Sequence, residues 1–381
     1  MAYFDNASTT FPKPEIVYDF MDSFYRESGV NVGRGRYSLE KSAVNIVDDT
    51  RERIKKLFHA PAKEVIFTPT ATIALNMIIQ GLMSENIKNV YISPFEHNAV
   101  TRLLHQYEKK GVITIHTLAV TSDGDYDFDS ISESYEKCSP DIIIVSHASN
   151  VIGYVSPIDE LFRLAKRFRA ITIADMSQTA GLVDLNVGLE TFDFAVFAGH
   201  KTLYGPTGIS GFICSRPVKL NPILFGGTGY DSSNQDMPDS VPEKYEMGTL
   251  NISGISGLNA ALRWIEEIGI DNIRKRENEN RNRLIDILSR YDFIKIIGMY
   301  PDKDYVGIVS CLIDGISSDS AGSLFSEQNI SVRTGLQCAP SAHKFLGTFP
   351  AGTIRFSVGY FTNDNDFDEL INVLDYINEN I

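Results

Sequence analysis

Short runs of apolar and β-branched residues recur through the middle of the chain, separated by stretches whose apolar positions return every three or four residues. The runs predict strands at 65–68, 90–93, 114–118, 141–147, 171–175, 193–197 and 211–214. Several, such as Ile142-Ile143-Ile144-Val145, are continuously apolar, the pattern of a strand covered on both faces. The intervening stretches predict helices at 71–81, 99–110 and 157–168. In the last, Ile158, Leu161, Phe162 and Ala165 share a face, with Arg163, Lys166 and Arg167 off it. This alternation predicts a three-layer α/β domain on a mainly parallel sheet.

Beyond residue 218 the pattern changes. Residues 221–254 are rich in Gly, Asn, Ser, Asp and Pro, with little periodicity. A loop of that length in a compact domain is usually functional or bridges subunits. A helical stretch at 255–268 follows, then a very polar one at 271–290. Strands near 306–312 and 353–358 and a final helix at about 365–380 complete a smaller α+β unit. The expected division is a large domain at 13–254 and a small one at 255–381, with residues 1–12 docked on the second.

Composition narrows the classes of function. The chain has 381 residues, 43% hydrophobic and 22% charged, which suffices for a sizeable core without disulfides or metals. A net charge of -14 argues against binding nucleic acid or an anionic membrane, because a polyanion would repel it. The start, Met1-Ala2-Tyr3-Phe4-Asp5, is not a signal peptide pattern, and no apolar run reaches the ~20 residues of a membrane span, so the cytoplasm is the expected compartment. The four cysteines show neither paired nor zinc-site spacing, so neither a disulfide framework nor a metal centre is expected. Cys138, Cys214 and Cys311 are expected as small buried or half-buried side chains, the last in a strand. Cys338 lies instead in a polar, Gly-containing turn beside Arg333, where an accessible thiol is expected.

Asn150, Asp175 and Lys201 each follow or close a predicted strand. Ligands of parallel sheets bind at the carboxyl ends of the strands, so these polar groups can converge on one crevice. Read alone, Lys201 is equally well a solvated lysine at the start of a loop. Pyridoxal phosphate (PLP) chemistry would explain the set. It needs a lysine amine, an acid to keep the pyridine nitrogen protonated, and a donor to the phenolic oxygen. The turn Thr68-Pro69-Thr70-Ala71-Thr72 leads from a strand into a helix and could cradle a phosphate, or simply cap that helix.

An ordered series of motifs resembles class V aminotransferase-fold enzymes, and among them cysteine desulfurases and selenocysteine lyases with a short cysteine loop. They are Tyr3-Phe4-Asp5-Asn6-Ala7-Ser8-Thr9-Thr10 with Lys13-Pro14; Asn31-Val32-Gly33-Arg34-Gly35; Glu96-His97-Asn98; Ser146-His147-Ala148-Ser149-Asn150; Asp175-Met176-Ser177-Gln178; Gly199-His200-Lys201; and Arg333-Thr334-Gly335-Leu336-Gln337-Cys338-Ala339. The resemblance implies PLP fold type I, an α/β class with a large, mainly parallel mixed sheet and a small C-terminal α+β domain. It implies that Lys201 binds PLP covalently, that His97 stacks on its ring, that Asp175 pairs with the ring nitrogen, and that Gln178 and Asn150 approach the phenolic oxygen. It further makes Thr72 and His200 phosphate ligands, with Thr249 lent by the partner in a homodimer. Arg355, together with Asn31, would bind substrate, and Cys338 would take sulfur from it.

The implied reaction converts L-cysteine to L-alanine through a persulfide on Cys338, from which a sulfur-acceptor protein takes the sulfur. A selenocysteine or cystine lyase is the main alternative. A class V aminotransferase or epimerase, and a catalytically silent scaffold, are further ones. Five positions depart from the family pattern: Gly33, Ala71, Ala198, Leu336 and Gln337. Ala71 and Ala198 stand where phosphate-binding hydroxyls are usual, whereas Gly33, Leu336 and Gln337 stand where histidines flank the substrate.

Overall fold

The computed structural model describes residues 1–32, 37–83, 86–215, 220–229 and 233–380. The first part of the chain forms β1 (Ala2–Tyr3), α1 (Glu15–Ser28), α2 (Ser38–Leu57), β2 (Glu64–Thr68), α3 (Ala71–Leu82), β3 (Asn89–Ile92), α4 (Asn98–Lys109) and β4 (Thr114–Thr117). The middle forms α5 (Phe128–Lys137), β5 (Ile142–Ser146), α6 (Ile158–Arg167), β6 (Ile171–Asp175), β7 (Phe194–Ala198) and β8 (Ser210–Cys214). After a long irregular segment come α7 (Ile252–Ile268), α8 (Ile270–Leu288), β9 (Ile294–Ile297), β10 (Ile308–Ile313) and α9 (Ser318–Glu327). The chain ends with β11 (Ile330–Ser331), β12 (Arg333–Gly335), α10 (Pro340–Phe345), β13 (Thr353–Ser357) and α11 (Asp364–Asn380).

The large sheet has the order β2-β8-β7-β6-β5-β3-β4. Neighbours from β4 to β7 pair in parallel, and β8 runs against both β7 and β2. The period of two sorts each strand's side chains between two layers. On β5, Ile143 and Val145 enter a core shared with α2, α6 and α7, whereas Ile142 and Ile144 enter one shared with α3 and α4. That double cover is why these strands read as unbroken apolar runs. Helix α6 buries Ile158, Leu161, Phe162 and Ala165, the expected face. Each of its larger apolar side chains contributes roughly 1.5–3 kcal/mol by leaving water.

The second, four-stranded sheet is antiparallel, ordered β12-β13-β10-β9, and Cys311 is buried within β10. Strand β1 pairs in parallel with β11, and Asp5 bridges to Ser357, so the first residues lie against the C-terminal sheet. Cys138 corrects the expectation of burial: it is the exposed C-cap of α5, where the helix ends at the surface. Cys214 is buried, as expected. No helix among the described residues is long and apolar enough to cross a membrane.

Candidate active site

The carboxyl ends of the parallel strands surround a cavity of about 220 Å³. Lys201, His200, Asp175, Gln178, Asn150, His97 and Thr72 all line it. They arrive there because the register sets Ser146 beside Asp175 and Asp175 beside Val196, so the loops leaving β5, β6 and β7 emerge side by side.

Lys201 follows β7 in a turn tied down from the N-terminus. The His200 carbonyl accepts hydrogen bonds from Thr9 Oγ1 (3.0 Å), the Thr10 amide (3.2 Å) and Lys13 Nζ (2.7 Å). Thr10 Oγ1 also donates to the Lys201 carbonyl at 3.0 Å. Burial pushes the Lys201 ammonium down to about 8 against the opposing pull of Asp175, while the Arg355 charge lowers it further. The same desolvation brings Lys13 to about 7. Sequence reasoning quoted Lys13 and Thr10 within a motif without assigning either a role. No local pattern could show that they reach a turn some 190 positions away.

His97 is both a helix cap and a cavity residue. Its Nδ1 accepts the Ala99 amide at 3.0 Å at the start of α4, which puts the proton of the neutral ring on Nε2. Burial and then the Lys201 charge hold its pKa below the ordinary value, so the ring stays neutral. Beside it, the fully buried Glu96 ties β3 to β5. It accepts from Ser93 Oγ, the Ser146 amide and Ser146 Oγ, and desolvation raises its pKa to about 7. Glu96 is a third residue whose role the sequence did not disclose.

Asp175 presents one oxygen inward. Oδ1 accepts the Ser177 amide and hydroxyl, and Oδ2 has no hydrogen-bond partner among the described residues. Gln178 Nε2 donates to the Ala7 carbonyl at 2.9 Å. In the turn before α3, Thr70 is the cap, its Oγ1 accepting the Ile73 amide, so Thr72 keeps its hydroxyl for the cavity. Ala71 and Ala198, the two departures from the family's hydroxyls, line the same cavity.

Arg355 on β13 is buried, and its Nη1 donates to the Asn150 carbonyl at 2.8 Å. Nη2 donates to Asp5 Oδ1 and Ser8 Oγ, both at 2.9 Å, and Arg333 also reaches Asp5 at 3.3 Å. Arg355 Nε has no hydrogen-bond partner among the described residues. A buried guanidinium with one unsatisfied N–H is suited to an incoming carboxylate.

Cys338 is exposed and does not itself line the cavity, but its loop is bonded to Asn150, which does. The Asn98 amide donates to the Cys338 carbonyl and Asn150 Nδ2 to the Gln337 carbonyl, each at 2.7 Å. Charge on the thiol would reach both Lys201 and Arg355, whose pKa values it raises. Two predicted site residues are not brought in by this chain alone. Asn31 is exposed and does not line the cavity. Thr249 is exposed and lines a different cavity of about 250 Å³, with Phe67, Thr68 and Pro69. Its segment is held to the edge of β2 by Glu246, which accepts the Phe67 amide and pairs with Arg51. Gly33 lies outside the described residues.

The residues present fit a PLP-sized anion with an aromatic ring. His200 lines the cavity with its Nδ1 buried and unpartnered among the described residues, Asp175 offers Oδ2, and the N-terminus of α3 faces the same space. The aminotransferase class-V family model matches residues 2–370. The chain belongs to the aminotransferase class-V family. Family membership implies PLP as cofactor. A protein of Halalkalibacterium halodurans named "Probable cysteine desulfurase" is 30% identical over 392 residues, spanning 100% of this chain and 93% of its own. One of the same name from Methanothermobacter thermautotrophicus is 30% identical over 381 residues, spanning 98% and 94%. The structure of a cysteine desulfurase from Thermococcus onnurineus matches with a TM-score of 0.90 at 27% identity, over 100% of this chain and 95% of that one. The large mixed sheet and the small antiparallel one are thus the architecture of these enzymes.

Proposed function

We propose that the protein is a PLP-dependent cysteine desulfurase that converts L-cysteine to L-alanine and carries the sulfur as a persulfide on Cys338. The observation that carries this reading is the placement of an exposed thiol on a loop bonded to Asn98 and Asn150, beside the cavity that holds Lys201. When bound, PLP supplies an electron sink for the substrate's α-carbon. Lys201 holds the cofactor and moves the α-proton. Asp175 Oδ2 would accept a hydrogen bond from the ring nitrogen, His97 would cover the ring, and Gln178 and the free N–H of Asn150 would serve the phenolic oxygen. Thr72, His200 and the α3 N-terminus would take the phosphate, and Arg355 would receive the substrate carboxylate through Nε, since both Nη2 protons are held by Asp5 and Ser8. The Cys338 thiolate attacks the substrate sulfur. The S–S bond forms as the C–S bond breaks, and the electron pair of that bond stays with carbon and ends as a C–H bond of alanine. Enzyme thiol and cysteine thus give persulfide and alanine, with no further oxidant. Incubation with L-cysteine is expected to yield alanine and add one sulfur mass to the Cys338 peptide, removable by a thiol reductant. Alanine without any added mass would favour the lyase reading. One observation favours that runner-up: Gln337, where the family often has histidine, turns inward, so it presents no imidazole beside the thiol.

The active unit under this proposal is a homodimer, with Thr249 completing the partner's phosphate site. Its support is the exposure of Thr249 outside its own chain's cavity. Mixed dimers of Lys201→Ala and Thr249→Ala contain one site with both residues native, so mixing these two impaired proteins is expected to restore up to about a quarter of wild-type activity, following statistical subunit exchange. Demonstrated exchange with no recovery would refute shared sites.

A further inference from the structure

The loop that carries Cys338 adopts a backbone it would not choose alone. Gln337 and Cys338 have φ of 40° and 58°, so two successive non-glycine residues lie in the left-handed region. L side chains rarely adopt that region singly, and less often in series. Something outside the local sequence must therefore hold it.

The fastening is the Gln337 side chain, which is 8% exposed. Its Nε2 donates to the Thr353 carbonyl at 2.9 Å, and because a carbonyl only accepts, this fixes the orientation of the amide. Oε1 then faces His343 Nε2 at 2.8 Å, so Nε2 must carry the imidazole proton. The other nitrogen, Nδ1, accepts from Thr348 Oγ1 at 2.8 Å. His343 is fully buried, and burial lowers its pKa to about 4, so the ring is neutral, as this chain of bonds requires. The Gln337 carbonyl accepts from Asn150 and the Cys338 carbonyl from Asn98, so the fastened turn lies directly on residues of the candidate site.

We infer that Gln337, backed by His343, is a positioning residue for Cys338: it locks the loop in the left-handed turn that is bonded to Asn98 and Asn150 beside the cavity. The inference rests on the proposed role of Cys338 only for its catalytic consequence, and its structural part can be read without substrate. Gln337→Met keeps the length and volume of the side chain but removes its hydrogen bonds. In the holoenzyme, amide exchange at Ala339 and Asn98, whose N–H groups bond to the Leu336 and Cys338 carbonyls, is expected to quicken at least about tenfold, with the central strands unchanged. Alanine formation from cysteine is expected to fall in kcat by about tenfold or more, with KM within about twofold and cofactor absorbance intact, because Arg355 still receives the carboxylate. Gln337→His, which restores a donor and an acceptor, should recover both readouts in part. His343→Phe removes the Nε2–H from the other side and must shift the same amides in the same direction, so either variant suffices if the other does not fold. Wild-type exchange in Gln337→Met, or turnover within about twofold of wild type, overturns the inference. A wild-type enzyme that makes no alanine from cysteine would remove the proposed function, yet leave the exchange comparison to decide the role of Gln337.

Discussion

Replacing Lys201 with alanine is expected to abolish the visible absorbance of covalently held cofactor and to reduce turnover by at least about a thousandfold, within the range for losing a positioned proton-transfer group. The variant should fold normally, since Lys201 Nζ makes no hydrogen bond or ion pair among the described residues, and the turn is held by the side chains of Thr9, Thr10 and Lys13, which donate to the His200 and Lys201 carbonyls. The pH dependence of loading is more discriminating. A lysine at its ordinary value is only about 0.1% free amine at pH 7.5, whereas one near 8 is about a quarter free. Burial brings Lys201 to about 8. The rate at which apo-protein captures added PLP should therefore rise with pH and level off just above 8. A rate still climbing steeply at pH 10 would mean that Lys201 is solvated, the alternative its local sequence leaves open. A colourless protein that added PLP cannot reconstitute would remove the cofactor assignment altogether.

How much of this could be read from the chain depended on how local the cause was. The runs that became β5, β6 and β7 are covered on both faces, so burial wrote itself into consecutive residues, and the polar residues just past them fell at the cavity. The short strands β9 and β12 were not foreseen, because three or four residues in an antiparallel sheet carry no run long enough to stand out. Helices α1 and α2 were also omitted from the pattern. In α2 the stripe Ala43, Ile46, Val47, Thr50 and Ile54 is present, but Thr50 and the surrounding charges dilute it. Cys214 and Cys138 show the same limit in reverse. Both precede or follow turn residues, and only tertiary packing makes one buried and the other exposed. The cavity lining was legible where a polar residue closes or follows a single strand, as at Asp175 and Lys201. It was not legible where residues act on one another across the fold. Asp5 joins the guanidiniums of Arg355 and Arg333, and Gln337 meets His343 and Thr353, only once β12 and β13 are paired.

Cys338→Ser should separate cofactor chemistry from sulfur transfer. Under the proposed function neither Lys201 nor the groups that would face PLP use the thiol, so colour and the spectral response to L-cysteine should persist. Under the proposed function KM should change little, because the carboxylate would be received by Arg355, whose partners are Asn150, Asp5 and Ser8. Alanine formation should nevertheless fall by roughly a hundredfold or more, since a serine hydroxyl is far less ionised near neutral pH than a thiol and a poorer nucleophile toward sulfur. The added sulfur mass should vanish from the peptide that contains residue 338. Cys138 is exposed as well, so its peptide serves as the control for sulfur picked up from solution rather than from bound substrate. Selenocysteine supplies the contrast, because selenium leaves carbon more readily than sulfur and depends less on an attacking thiolate. Loss of cysteine turnover with retention of selenocysteine turnover would show that Cys338 acts on the substrate's sulfur and not on the α-proton. Unchanged alanine formation from cysteine would sink the persulfide route and leave the lyase reading in its place.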